Sequence, residues 1–149
     1  MEMLSGSCIY GLRAAIYVAA HTSNDSYVSI REISEKLGIS FHFLTKILQR
    51  LTEGGVMKSH RGPGGGVTLA RPAARISILE IVEILDGPDI FRSCILGLPG
   101  CGELQPCPLH KEWSQYRERL RSMFGRSTLS RLAGKVSEGR LRLADVPGK

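Results

Sequence analysis

With 149 residues, 42% of them hydrophobic and 23% charged, the chain has the composition of a folded protein long enough for one compact domain with an extension, which excludes disordered and fibrous classes. Its net charge of +6 and pI of about 9.4 fit a nucleic-acid or anionic-surface partner. No apolar run approaches a membrane span: the best, residues 8–20, is broken by Arg13 and preceded by Glu2 rather than a basic region, so it reads as neither a span nor a secretory signal, and a cytoplasmic location with no membrane partner is expected.

The first expected helix covers residues 8–21, where Ile9, Leu12, Ile16, Ala19 and Ala20 recur near helical spacing, and Cys8 at its start reads as a small buried hydrophobe. Asn24, Asp25 and Ser26 then turn the chain. Ser29 followed by Glu32 is a capping box, Ile30, Ile33 and Leu37 give a second helix its inward face, and Gly38 ends it. Ser40 caps a third helix whose Leu44, Ile47, Leu48 and Leu51 fall at i, i+3, i+4 and i+7 on one apolar stripe. Gly54 and Gly55 are expected to close that helix in the left-handed conformation.

Two helices joined by so short a link have helix-turn-helix geometry, in which the second helix presents its N-terminal residues to base edges. His42, Thr45 and Lys46 are expected to face the major groove, and Ser40 or Gln49 to touch phosphates. Two strand-like runs, 56–60 and 67–70, follow on either side of Arg61-Gly62-Pro63-Gly64-Gly65-Gly66, a glycine-rich wing that can approach another backbone closely. Arg61 suits a narrow minor groove.

Charge is concentrated on this stretch. Residues 36–75 hold Lys36, Lys46, Arg50, Lys58, Arg61, Arg71 and Arg75 against the single acid Glu53, a difference of +6 that equals the whole chain's. Counterion release rewards a local excess of this kind on a polyanion. A solvated basic face is the plain alternative, and the helix-turn-helix pattern with its wing favours double-stranded DNA instead.

Beyond a link at Pro72, Ser77 with Glu80 forms another capping box, and Ile78, Leu79, Ile81, Val82 and Leu85 make a core helix that stops at Asp86-Gly87-Pro88. From Cys94 to His110 the composition turns to Gly, Pro and Cys. Cys94, Cys101 and Cys107 are pinned in a loop too rich in Gly and Pro for regular structure, as when a chain wraps an ion or cluster. Cys107 precedes a helix expected to carry Pro108 in its first turn, so the helix's positive end should favour thiolate there, and His110 is expected above Cys107 on the same side. The resulting set of three cysteines and one histidine suits an iron-sulfur cluster, a structural zinc or a thiol switch, and spacing alone does not separate the first two.

Leu109, Trp113, Tyr116, Leu120 and Met123 then step by four, three, four and three residues, a heptad-like seam on a helix of roughly 25 Å that asks for a second subunit, with packing onto its own domain as the alternative. Residues 127–133 are expected to form a short last helix, and the polar end of the chain to fray. The fold expected is therefore mainly α with a small β-hairpin: a winged helix-turn-helix domain over residues 1–88, a cysteine-rich sensor loop over 89–108, a dimerisation helix with a short following helix over 109–134, and a flexible tail over 135–149. No nucleotide-binding fingerprint, carboxylate pair or Ser/His/Asp arrangement suggests an enzyme, although an iron-sulfur redox protein remains the rival from another class.

The wing, the apolar helix ending at Asp86 and Gly87, the cysteine loop and the run from Cys107 through Pro108, Leu109 and His110 to Trp113 together resemble the IscR/NsrR-type family of bacterial winged-helix transcription regulators over nearly the whole chain. That resemblance implies a homodimer crossing its long C-terminal helices, operator DNA as partner and, in many members, an iron-sulfur cluster. Cys94, Cys101 and Cys107 match the family's cluster cysteines, His110 matches the histidine ligand of IscR-like members, and Arg61 matches the wing arginine; on that match a [2Fe-2S] centre is favoured over zinc or no metal. Three positions depart from the pattern: the spacing from Cys94 to Cys101 is one residue longer than in IscR, Ile9 stands where NsrR-like members have a ligating aspartate, and Thr45 stands where IscR has a glutamate that influences operator choice.

Overall fold

A computed structural model of the chain describes residues 3–23, 26–102, 104–139 and 141–145. Within them run helices α1 (Gly6–His21), α2 (Ile30–Leu37) and α3 (Phe41–Glu53), an antiparallel hairpin of β1 (Met57–His60) and β2 (Gly66–Leu69), and helices α4 (Ile78–Asp86), α5 (His110–Arg126) and α6 (Leu129–Ser137). Short 3-10 turns at Ala73–Arg75 and Asp89–Phe91 flank α4. The architecture is mainly α with one small hairpin, as expected. Asn24 and Asp25 lie outside the described residues.

Local chemistry explains where the helices begin. The hydroxyl oxygens of Ser5, Ser29, Ser40 and Ser77 accept hydrogen bonds from the backbone N–H groups of Cys8, Glu32, Phe43 and Glu80, each satisfying an otherwise orphaned donor in the first turn. Gly38, at φ 66°, closes α2 in the left-handed conformation. At the end of α3 the expected glycine pair divides its work. Gly54 stays right-handed at φ −79°, and it is Gly55 that turns left-handed at φ 82°. Gly54 is constrained by packing instead: a Cβ there would fall 2.6 Å from Ile84 Cδ1.

The core forms around α1, whose Cys8, Ala14, Ala15 and Val18 are fully buried against α3, α4 and α6. Leu44, Ile47, Leu48 and Leu51 of α3 and Ile81, Val82 and Leu85 of α4 complete it. The hairpin pairs Met57 with Leu69 and His60 with Gly66, one residue later at its start and one earlier at its return than the expected runs. Val28 and Val67 exchange backbone hydrogen bonds of 3.0 and 2.9 Å, joining the segment before α2 to the wing. Gly66 permits that approach, because a Cβ there would lie 2.1 Å from the Val28 carbonyl oxygen.

On α5 the expected seam divides between two faces. Trp113 and Leu120 are half-buried and Phe124, which the heptad reading passes over, is buried edge-to-face on Phe91 at 6.0 Å; Leu109, Tyr116 and Met123 are 43%, 63% and 45% exposed. The last helix begins two residues later than expected, since Ser127 ends α5 and the Thr128 hydroxyl oxygen caps α6. Ile78 N–H donates to Ser127 O and Leu129 N–H to Ile76 O, so α6 is tied back beside α4 and lies on α1. Residues 135–137 complete α6, and Leu143 and Ala144 pack against the core with Arg13 donating to the Leu143 carbonyl, so the fraying expected of the polar end is not what residues 141–145 do. No helix among the described residues is long and apolar enough to cross a membrane.

Candidate nucleic-acid interface and cysteine site

Amphipathicity of α3 follows from its sequence period, and it decides which side chains are free to meet a duplex. With the leucine-rich stripe turned inward, Ser40, His42, Lys46 and Gln49 are exposed. Ser40 is occupied in part as the cap, accepting from Phe43 N–H at 3.4 Å. Thr45 is half-buried and its hydroxyl donates to Phe41 O at 2.8 Å, which leaves that oxygen to accept rather than donate. Arg61 is exposed directly after β1.

Between the start of α2, the start of α3 and the wing lies a cleft of about 370 Å³ whose lining includes Ser29, Arg31, Phe41, His60 and Arg61. Arg31, Phe41 and His60 are additions to the residues expected from sequence. The guanidinium carbon of Arg31 sits 5.4 Å from the Phe41 ring centroid, and Phe41 is 46% exposed at the first position of α3, an aromatic on the polar side of a helix that could have drawn attention in the sequence. Two of the basic side chains are also tied to neighbouring elements. Arg50 donates to Ile84 O and Leu85 O at 3.0 and 2.9 Å, capping the C-terminal end of α4, while Arg71 donates to Gly55 O at 3.2 Å and pairs with Glu80. Lys36, Lys46, Arg50, Lys58, Arg61 and Arg75 are exposed and supply the outward positive charge.

The cysteine loop runs from the turn at Asp89–Phe91 to α5 without helix or strand among its described residues, as its composition suggests. It brings the four expected ligands together as two pairs. Cys94 Sγ lies 3.5 Å from Cys107 Sγ, and Cys101 Sγ lies 3.4 Å from His110 Nδ1. His110 therefore partners Cys101 rather than Cys107, because α5 begins at His110 itself, with Pro108 before the cap residue Leu109. Among the described residues no group of three or more His, Cys, Asp or Glu side chains converges closely enough to hold a single metal ion.

Thiolate preference also differs from expectation. The Cys94 thiol is held below its usual pKa by hydrogen bonds from the backbone of Leu98 and Leu96, whereas burial and the hydrogen bond with Cys94 push Cys107 up. Of the pair, the lower pKa thus falls on Cys94, whose own loop wraps N–H groups around the sulfur, and not on the cysteine nearest the helix. Cys8 stands apart in the core, its thiol pushed up to about 12 by burial and then by the Asp86 carboxylate, which fits a packing residue.

A capped helix-turn-helix, a wing tied to it by the Val28–Val67 bridge, and an outward basic face define a DNA-binding transcriptional regulator of the winged-helix class. The chain belongs to the Rrf2 family, whose model, described as an iron-dependent transcriptional regulator, matches residues 4–135. The regulator IscR of Xenorhabdus nematophila is 36% identical over 123 residues, covering 83% of this chain and 74% of that protein, and IscR of Yersinia enterocolitica is 34% identical over the same shares. Among solved structures, Staphylococcus aureus CymR is similar with a TM-score of 0.70 at 28% identity over 87% of this chain and 96% of that one. The global cysteine regulator CymR of B. subtilis reaches a TM-score of 0.76 at 24% identity, covering 91% and 98%, a likeness that speaks to the fold alone. The expected family and winged-helix class are both met, and these relatives are named as regulators rather than enzymes.

Proposed function

We propose that the chain is a homodimeric, operator-binding regulator whose grip on DNA is set by an iron-sulfur centre of the [2Fe-2S] type held by Cys94, Cys101, Cys107 and His110. The observation that carries this reading is the arrangement of the four donors two by two. Around one tetrahedral ion with metal–sulfur bonds of about 2.3 Å every pair of sulfur donors would stand roughly 3.8 Å apart. Here the close separations of 3.5 and 3.4 Å occur within the pairs Cys94–Cys107 and Cys101–His110, and among the described residues no third donor joins either pair closely enough to share one ion, which suits two ions with two protein ligands each better than one ion with four. Such a centre supplies, when bound, one-electron chemistry at a potential tuned by its surroundings.

The rest of the chain divides to match. Residues 1–88 read DNA, with His42, Thr45 and Lys46 toward bases, Ser40 and Gln49 toward phosphates, and Arg61 toward the minor groove; 89–108 form the sensor loop; within 109–134 the long helix α5 pairs the subunits and the following helix α6 packs on its own chain; the tail, set at 135–149 from sequence, begins after α6 ends at Ser137. Support for pairing comes from Leu109, Tyr116 and Met123, exposed at seven-residue steps along α5. Loop and pairing helix meet at His110, so movement of residues 94–107 biases α5 and with it the separation of two recognition helices, which must be about 34 Å for successive major grooves. Action on operator DNA implies a cytoplasmic location.

Anaerobic purification followed by iron and sulfide analysis and visible absorption tests the reading. Two iron and two sulfide per chain with a coloured protein is the expected result. Stoichiometric zinc in a colourless protein would replace the cluster with a structural zinc, cysteines without metal would leave a thiol switch, and a coloured protein that binds no DNA fragment in either redox state would point to a redox protein.

A further inference from the structure

We infer that Arg117 is a positioning residue for the cysteine site, clamping the Cys101–His110 pair against the strand of chain that leads into Cys94; the inference rests on the cluster reading above. Its Nη1 donates to Arg92 O at 2.9 Å, to Ser93 O at 3.1 Å and to Cys101 Sγ at 3.4 Å. Ser93 immediately precedes Cys94, and its carbonyl is also held from α5 by Trp113 Nε1 at 2.8 Å. Arg117 itself stands two turns after His110 on the same helix. One guanidinium thus links the start and the middle of the loop to the helix that carries the fourth ligand.

An arginine on the outside of a helix ordinarily reaches for water or a carboxylate. Arg117 is half-buried between exposed Tyr116 and Glu118, and the partners of its Nη1 are two carbonyls and a ligand sulfur. Two consequences follow from that placement. Holding Arg92 O and Ser93 O slows opening of the loop, so a bound centre survives longer. Donation to Cys101 Sγ draws electron density from a ligand atom and offsets the added negative charge of the reduced state, so the midpoint potential is raised. A residue that merely packed the loop would affect the first and leave the second alone.

The test compares the full-length protein with Arg117→Gln and Arg117→Lys after anaerobic reconstitution with ferrous iron and sulfide, with far-UV circular dichroism to verify folding. Arg117→Gln should lose iron to a chelator about tenfold faster and show a lower midpoint potential in a dye-mediated titration. Arg117→Lys, which keeps the positive donor, should retain more of the potential than the glutamine variant, and should Arg117→Gln fail to fold it carries the test alone, with a lower potential and faster iron loss than wild type expected. Folded variants with wild-type potential and wild-type iron loss overturn the assignment while leaving the cluster reading intact. Failure of the wild-type protein to take up iron and sulfide overturns both.

Discussion

In α3 four apolar side chains, Leu44, Ile47, Leu48 and Leu51, are no more than 2% exposed, whereas the seventeen residues of α5 bury only Phe124 and leave Tyr116 and Met123 open, as is the cap residue Leu109. The DNA-reading half is closed by burial within the chain: capped helices, a hairpin bridged to Val28, and arginines such as Arg50 spent on helix ends. The cysteine half is held by a few hydrogen bonds from Trp113 and Arg117, two close donor pairs and the ring contact between Phe91 and Phe124. One half presents a finished surface to a ligand of fixed shape. In the function proposed above, the other would be completed by partners outside the chain, a bound centre and a second subunit, whose occupancy would then decide its arrangement.

The sharpest way to break this contrast is to cut the same type of side chain from each half. Leu48→Ala should cost about 3 kcal/mol of unfolding free energy in urea titration, while Met123→Ala should stay within about 0.5 kcal/mol when the isolated subunit is the unfolding species; equal losses would erase the distinction. Next in size, Tyr116→Glu should weaken subunit pairing by about 2 kcal/mol in sedimentation equilibrium, with the helical content of the subunit unchanged. Retention of the wild-type self-association would mean that the open side of α5 is not a pairing face.

Two smaller effects probe the finished half. Arg61→Ala should weaken operator binding by about 1.5 kcal/mol and reduce the salt dependence by roughly one counterion per subunit; an unchanged slope in anisotropy titrations would remove Arg61 from the interface. Ser40→Ala should destabilise the fold by about 1 kcal/mol through loss of the α3 cap, and a melting temperature identical to wild type would show that the 3.4 Å contact to Phe43 contributes little.

The same divide governs what could be read in advance. Ser29, Ser40, Ser77 and the stripe Leu44 to Leu51 are local signals, since cap and period act within one or two turns, and each appears where expected. That Gly54 is held by its packing on Ile84, thirty positions away, while Gly55 alone turns left-handed, is announced by nothing near the glycines. Likewise the charge count does not reveal that Arg71 is paired with Glu80, or that the exposed Arg50 also holds the end of α4. At the cysteine site the four candidate donors could be picked out by residue type, but helix spacing pairs His110 with Cys107 while the folded loop carries Cys101 to it instead. Arg117 was invisible for the same reason, being one of several charged residues on α5 until the loop folds back over it.

Coupling between the two halves is the claim on which the account stands, and a paired titration tests it most directly. A duplex selected from a random library by the anaerobically prepared protein is titrated, by fluorescence anisotropy at fixed salt, with the same preparation before and after iron is removed by chelation. The account predicts dissociation constants that differ by about tenfold or more; identical constants for the iron-loaded and iron-free protein would contradict it.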